Sequence, residues 1–146
     1  MTEYHPIGVL HTPILDKSGP IQSSRSDMIG TAELFQEFEQ GLQGIEDFSH
    51  IYLIYEFDRP TLPLSMTVKP FLDDNERGLF TTRYPRRPNP IGLSIVRVVS
   101  HHDNIVEFQG ADMLDNTPLL DIKPYIPDFD VFEVKKTGWY QNRAKK

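Results

Sequence analysis

Residues 93–111, LSIVRVVSHHDNIVEFQGA, constrain the fold more than any other part of the chain. Ile95, Val96, Val98 and Val99 stand opposite Ile105, Val106 and Phe108 across the polar turn His101 to Asn104. Branched runs on both sides of a short polar turn read as an antiparallel hairpin, because such side chains pack well on a pleated surface and crowd a helix. Further strands are predicted at Ile7 to Thr12, Met28 to Phe35, His50 to Phe57, Ser65 to Phe71 and Gly78 to Thr82, with a last short one at Leu119 to Ile122. A single helix is expected at Gln36 to Gln40, stopped by Gly41 and Gly44. Many strands with one short helix predict a mainly β chain, folded as a small closed or nearly closed barrel. The 12 prolines predict well-defined connections between the strands.

Composition removes whole classes of function. A chain of 146 residues suits one domain that buries roughly two-thirds of its unfolded surface, so a core needs neither metal nor disulfide. With no cysteine there is no disulfide framework, Cys-based zinc site, iron–sulfur cluster or thiol nucleophile. The nine glycines lie at 8, 19, 30, 41, 44, 78, 92, 110 and 138, which leaves no GxG pair and no Walker loop. A Rossmann cofactor domain is thereby excluded, and with it the commonest methyltransferase and dehydrogenase architectures. No GxSxG elbow occurs. His5, His11, His50, His101 and His102 form no i, i+4 pair around a Glu, and Asp112, Asp115 and Asp121 lack calcium-loop spacing, so no metal is expected. His101 and His102 are placed on the hairpin turn, in solvent. The start, MTEYHPIGVLHTPI, is acidic where an export signal is basic, and the best apolar run, Ile51 to Phe57, is far too short for a membrane span. A cytoplasmic protein without membrane contact is the expectation.

The net charge of −6 argues against bulk affinity for nucleic acid, yet the charge is unevenly spread. From Glu133 the chain reads EVKKTGWYQNRAKK, which sets Lys135, Lys136, Arg143, Lys145 and Lys146 against one acid. A barrel over residues 1–132 and a basic tail over 133–146 are therefore expected, the tail being either a phosphate-binding arm or a solvated terminus. A second basic group, Arg83, Arg86 and Arg87, lies in TTRYPRRPNP beside Tyr84. Pro85, Pro88 and Pro90 stiffen that segment, and guanidinium forks held at low entropic cost suit phosphate, carboxylate or a stacked base. Pairing with surface acids is the alternative. The segment KSGPIQSSRSD, Lys17 to Asp27, offers Pro20, Gln22 and Arg25, and reads equally as an ordinary surface loop. DNTP at residues 115–118 reads as an Asx-type turn.

Taken together, GPIQSS, GLQGIEDFSHIYLIYEF, RGLFTTRYPRRPNPIGLS and DMLDNTPLLDIKPYIP occur in the order found in the TsaA-like (TrmO) family. The resemblance covers roughly Tyr4 to Asp130. It implies a non-Rossmann β-barrel that binds S-adenosylmethionine, works as a homodimer, and methylates N6 of adenosine 37 in tRNA. In that family the adenosine already carries threonylcarbamoyl, and the tRNA reads threonine codons. By position, the resemblance implies cofactor contacts at Pro20, Ile21 and Gln22, at Asp58 and Arg59, at Arg83 and Leu93, and at the turn Leu114, Asp115, Asn116 and Thr117. Asn89 and the backbone around Pro90 are expected to hydrogen-bond the target base, Tyr84 to stack on a base, and Arg83, Arg86 and Arg87 to hold phosphate or the threonyl carboxylate. Asp115 is the candidate proton acceptor, with a turn cap as its other reading. The chain departs from bacterial members at Asp58 and Arg59, where they usually carry His and a polar residue, and at Asn116, where they carry Gly. A barrel that binds the cofactor or a nucleotide without turnover, and the same machinery acting on another acceptor, are the alternative functions.

Overall fold

Alternation between buried and exposed residues runs through the strands of the computed structural model, which describes residues 2–15, 27–59 and 62–143. The strands are β1 (Gly8–His11), β2 (Ile29–Leu34), β3 (His50–Glu56), β4 (Thr67–Val68), β5 (Arg77–Gly78), β6 (Ile91–His102), β7 (Ile105–Gln109) and β8 (Thr117–Pro124). Six of them close into a barrel in the order β1-β2-β7-β6-β3-β8, every pair antiparallel and β8 returning to β1. Closure removes the unpaired edges that an open sheet of these strands would expose. The chain divides into two compact units: Met1–Asp58 with Ile91–Tyr125 carries the barrel, and Arg59–Pro90 with Ile126–Lys146 carries the two-stranded ribbon β4-β5.

The mainly β barrel expected from the sequence is present, with several local differences. Gln36 to Leu42 is a 3₁₀ rather than an α-helical segment, followed by a second 3₁₀ turn, Ile45–Asp47, entered through Gly44 at φ 85°. Gly41 lies inside the first of these turns, and so short a run lacks the length that would repay α-helix nucleation. The expected strand Ser65 to Phe71 shrinks to β4 because Ser65 Oγ both donates to the Thr67 carbonyl and accepts from the Thr67 amide, and Pro70 has no amide to pair. Gly78 to Thr82 becomes β5 plus the 3₁₀ turn Leu79–Thr81, where the Thr81 and Thr82 hydroxyls donate to the carbonyls of Gly78 and Leu79. A one-turn α-helix, Pro127–Asp130, was not anticipated; Pro127 opens it and the Asp130 carboxylate accepts the Ile126 amide.

Inside the barrel, β3 buries Ile51, Leu53 and Tyr55, and these meet Leu10, Ala32, Val96, Val106, Phe108 and Leu119. Gly30 pairs directly with Phe108, and a Cβ at Gly30 would come within 2.8 Å of the ring. The ring therefore occupies space that only glycine leaves open. Among the described residues, no buried side-chain nitrogen or oxygen lacks a hydrogen-bond partner.

His101 and His102 are the last residues of β6, not turn residues; the turn is Asp103 and Asn104, with Asp103 at φ 53°. His101 is tied down rather than solvated. Its Nδ1 lies 2.9 Å from Glu46 and its Nε2 2.8 Å from the Asp103 carbonyl. The hydrogen bond with Glu46 raises the His101 pKa above its ordinary 6.5 and lowers that of Glu46 below 4.5. The histidine's contribution is complete below its unfolded pKa and is lost as pH rises through the raised folded value, whereas the glutamate's is lost only as pH falls through its lowered value. Relative to wild type, Glu46→Gln is expected to lower the melting temperature most near about pH 6, the deficit shrinking toward about pH 9 as the histidine's part is lost. A pH-independent offset would contradict this.

Candidate functional site

At one end of the barrel three strand ends lie side by side, because Glu56 of β3 pairs with Ile91 of β6 and Tyr55 pairs with Leu119 of β8. This register gathers Asp58, Leu93 and the turn Leu114 to Thr117 on one rim. The alternation of β6 buries Gly92, Ser94 and Val96 and turns Ile91 and Leu93 outward, where they are 43% and 54% exposed. Two exposed apolar side chains thus mark the start of β6 at this end of the barrel.

The turn is fastened on the side of β1. The Asp115 amide donates to the Ile14 carbonyl at 2.7 Å and the Asn116 amide to the Leu10 carbonyl at 2.9 Å. In return, the Thr12 amide donates to Asp115 Oδ1 at 3.0 Å, and Thr12 Oγ1 donates to the Met113 carbonyl at 2.8 Å. Thr117 Oγ1 closes the loop onto the Leu114 carbonyl at 2.6 Å. Asn116 sits at φ 65°, the left-handed region that glycine favours and asparagine tolerates, with its side chain exposed. The His11 ring lies 2.9 Å from Glu33 and 3.7 Å from Asp115 Oδ1. Asp115 therefore holds the turn together.

In the second unit, Tyr84, Arg86, Arg87 and Asn89 follow the 3₁₀ turn Leu79–Thr81 along one segment with Arg83. Arg87 is committed to its own loop: Nη1 donates to the carbonyls of Thr82 at 3.0 Å and Tyr84 at 2.9 Å, and the guanidinium lies 5.9 Å from the Phe80 ring centroid. Arg86 Nε donates to the Leu62 carbonyl at 3.1 Å. Arg83 and Asn89 are exposed. Trp139 of the basic tail donates its indole N–H to the Thr81 carbonyl at 2.8 Å, and Arg143 stacks on Tyr140 at 4.0 Å. The tail is thus anchored beside the start of the arginine segment. The hydrogen bond from Arg77 holds the Asp73 pKa below its ordinary 3.8.

Pro20, Ile21 and Gln22 lie outside the described residues. Among the described residues, no group of three or more His, Asp or Glu side chains is placed to hold a metal, and no helix is long and apolar enough to cross a membrane. Sequence reading missed Thr12, the clasp of the turn, and the buried hydroxyl of Ser94. A polar residue at an inward position of an otherwise apolar strand was the available signal for each.

A family model for the tRNA-methyltransferase O N-terminal domain matches residues 9–131. The chain belongs to this family. The TsaA-like resemblance carried by RPNPIG and DIKPY is thereby confirmed. Among relatives of the TrmO N-terminal domain, a probable S-adenosyl-L-methionine-binding protein of Pyrococcus abyssi is 48% identical over 98% of this chain and 78% of its own length. The mouse tRNA (adenine(37)-N6)-methyltransferase is 38% identical over 86% of this chain and 31% of its own length. The crystal structure of TrmO from Pseudomonas aeruginosa superposes with a TM-score of 0.74 at 31% identity, covering 94% of this chain and 62% of that one. The chain thus spans less than two-thirds of the crystallised TrmO and about a third of the mouse enzyme.

Proposed function

We propose that this chain is an S-adenosylmethionine-dependent methyltransferase acting on N6 of adenosine 37 in tRNA, with threonylcarbamoyl already on that nitrogen. Support comes from the TrmO-domain match over residues 9–131, which spans the fastened turn, the start of β6 and the arginine segment. The rim suits the cofactor chemically: Leu93 offers an apolar surface for an adenine ring, Asn116 an exposed amide for its polar edge, and Asp58 a carboxylate for hydroxyl or amine groups. When bound, S-adenosylmethionine supplies a methyl group already activated for transfer. The turn Leu114 to Thr117, with Pro20, Ile21, Gln22, Arg59 and Arg83, completes the proposed cofactor contacts.

The protein's remaining tasks are placement and the handling of one proton. Asn89 hydrogen-bonds the target adenine, Tyr84 stacks on a base, and Arg83, Arg86 and Arg87 hold phosphate or the threonyl carboxylate. N6 forms its bond to the methyl carbon as the carbon–sulfur bond breaks, and the N6 proton passes to Asp115 or to water. A carbamoylated N6 has a more acidic N–H than plain adenosine, so a weak acceptor suffices. Residues 133–146 extend the cationic surface for tRNA. The protein works as a homodimer in the cytoplasm.

Labelled methyl transfer to two otherwise identical tRNA pools, with and without threonylcarbamoyl-adenosine, tests this reading. Incorporation confined to the modified pool is expected, and equal incorporation would overturn the acceptor. Arg83→Ala is expected to weaken tRNA binding and to reduce the salt-dependence slope by about 0.7–0.9. Arg87→Ala both removes a cation and loosens the loop whose carbonyls it holds. Unchanged tRNA affinity in both variants would remove the arginine segment from the interface.

A further inference from the structure

Across β3 and β6, Tyr55 pairs directly with Gly92, and a Cβ at Gly92 would clash with the edge of the Tyr55 ring and come 2.9 Å from Phe57. The ring thus leans over the glycine and carries its hydroxyl to Ser94, two residues along on the same inward face; Tyr55 Oη and Ser94 Oγ are 2.8 Å apart. Ser94 Oγ donates to Asp112 Oδ1 at 2.7 Å. A serine hydroxyl has one proton and the carboxylate accepts it, so Tyr55 must be the donor to Ser94. The chain runs in one direction, Tyr55 to Ser94 to Asp112. Tyr55 and Ser94 are each only 4% exposed, and a polar chain at that depth gains little over apolar packing except a fixed geometry.

That geometry has an evident object. Asp112 opens the segment that ends in the turn Leu114 to Thr117, and Thr12 clasps the far side of the same segment through Met113 and Asp115. Ser94 grips its near side, next to outward-facing Leu93. We propose that Tyr55, Ser94 and Asp112 form a positioning relay that fixes the segment leading into the turn at the rim of the barrel and so tunes cofactor affinity without touching the cofactor. The link to affinity rests on the cofactor reading above; the link to the turn does not.

The test uses the full chain in two arms. Without cofactor, Ser94→Ala is expected to speed amide exchange at Asp115 and Asn116 about tenfold while leaving Val106 and Phe108 protected. Tyr55→Phe produces a smaller change, because Ser94 still holds Asp112. Ser94→Thr keeps the hydroxyl and restores protection. In calorimetric titration with S-adenosylmethionine, Ser94→Ala raises Kd about tenfold. Leu34→Ala, which cuts the core at the opposite end of the barrel, lowers the melting temperature and leaves Kd unchanged. Wild-type exchange rates at Asp115 and Asn116 in Ser94→Ala would overturn the relay, as would equal loss of affinity in Leu34→Ala. If the wild type binds no S-adenosylmethionine while the exchange arm responds, the cofactor reading and the tuning of affinity fail and the structural relay stands.

Discussion

Phe108→Ala is expected to destabilise the barrel by about 3–5 kcal/mol, the largest effect of any single substitution considered for this chain. The ring is fully buried on β7 and lies over Gly30 of β2 in the gap left by the missing Cβ. Truncation opens a cavity that no neighbour can fill, since the glycine opposite has nothing to move into it. Chemical denaturation should show a lowered midpoint with an unchanged slope; a midpoint shift worth less than about 1 kcal/mol would mean that the barrel collapses around the hole. Phe108→Leu keeps most of the volume and should cost markedly less.

Gly92→Ala is the second large effect and operates by overfilling. The added methyl clashes with the edge of the Tyr55 ring, against which Phe57 packs edge-on at a centroid distance of 5.5 Å. The ring cannot swing away without leaving the core, so a cost of about 1–3 kcal/mol is expected. Unlike Phe108→Ala, this substitution also pulls the Tyr55 hydroxyl off Ser94. Its stability loss should therefore be accompanied by faster exchange at Asp115 and Asn116, which Phe108→Ala should not produce selectively. Near-wild-type stability for Gly92→Ala would contradict the packing described for Tyr55.

These two glycines show where sequence reading succeeds and where it stops. The strands β1, β2, β3, β6 and β7 were legible because their apolar residues alternate, and the hairpin joining β6 to β7 was legible from its polar turn. The glycines signalled only the absence of phosphate loops, because nothing local says that Gly30 and Gly92 face aromatic rings from strands distant in sequence. The 3₁₀ segments were read as helix or strand, since short runs are decided by hydroxyl-to-backbone bonds such as those of Thr81 and Thr82 rather than by periodicity. At the site, DNTP announced a turn at Asp115 and Asn116, whereas the left-handed φ of Asn116 emerged only in the structure. The clasp from Thr12 lies 103 residues away in sequence from Asp115 and could be seen only in the closed barrel.

Counting S-adenosylhomocysteine released per protein chain, with threonine-reading tRNA in excess, tests the central claim most directly. Many equivalents of S-adenosylhomocysteine, with the added methyl located on N6 of adenosine 37 in the digested tRNA, are the predicted result. One equivalent of S-adenosylmethionine bound per chain, with no S-adenosylhomocysteine formed, would contradict it and make this barrel a cofactor-binding protein without turnover.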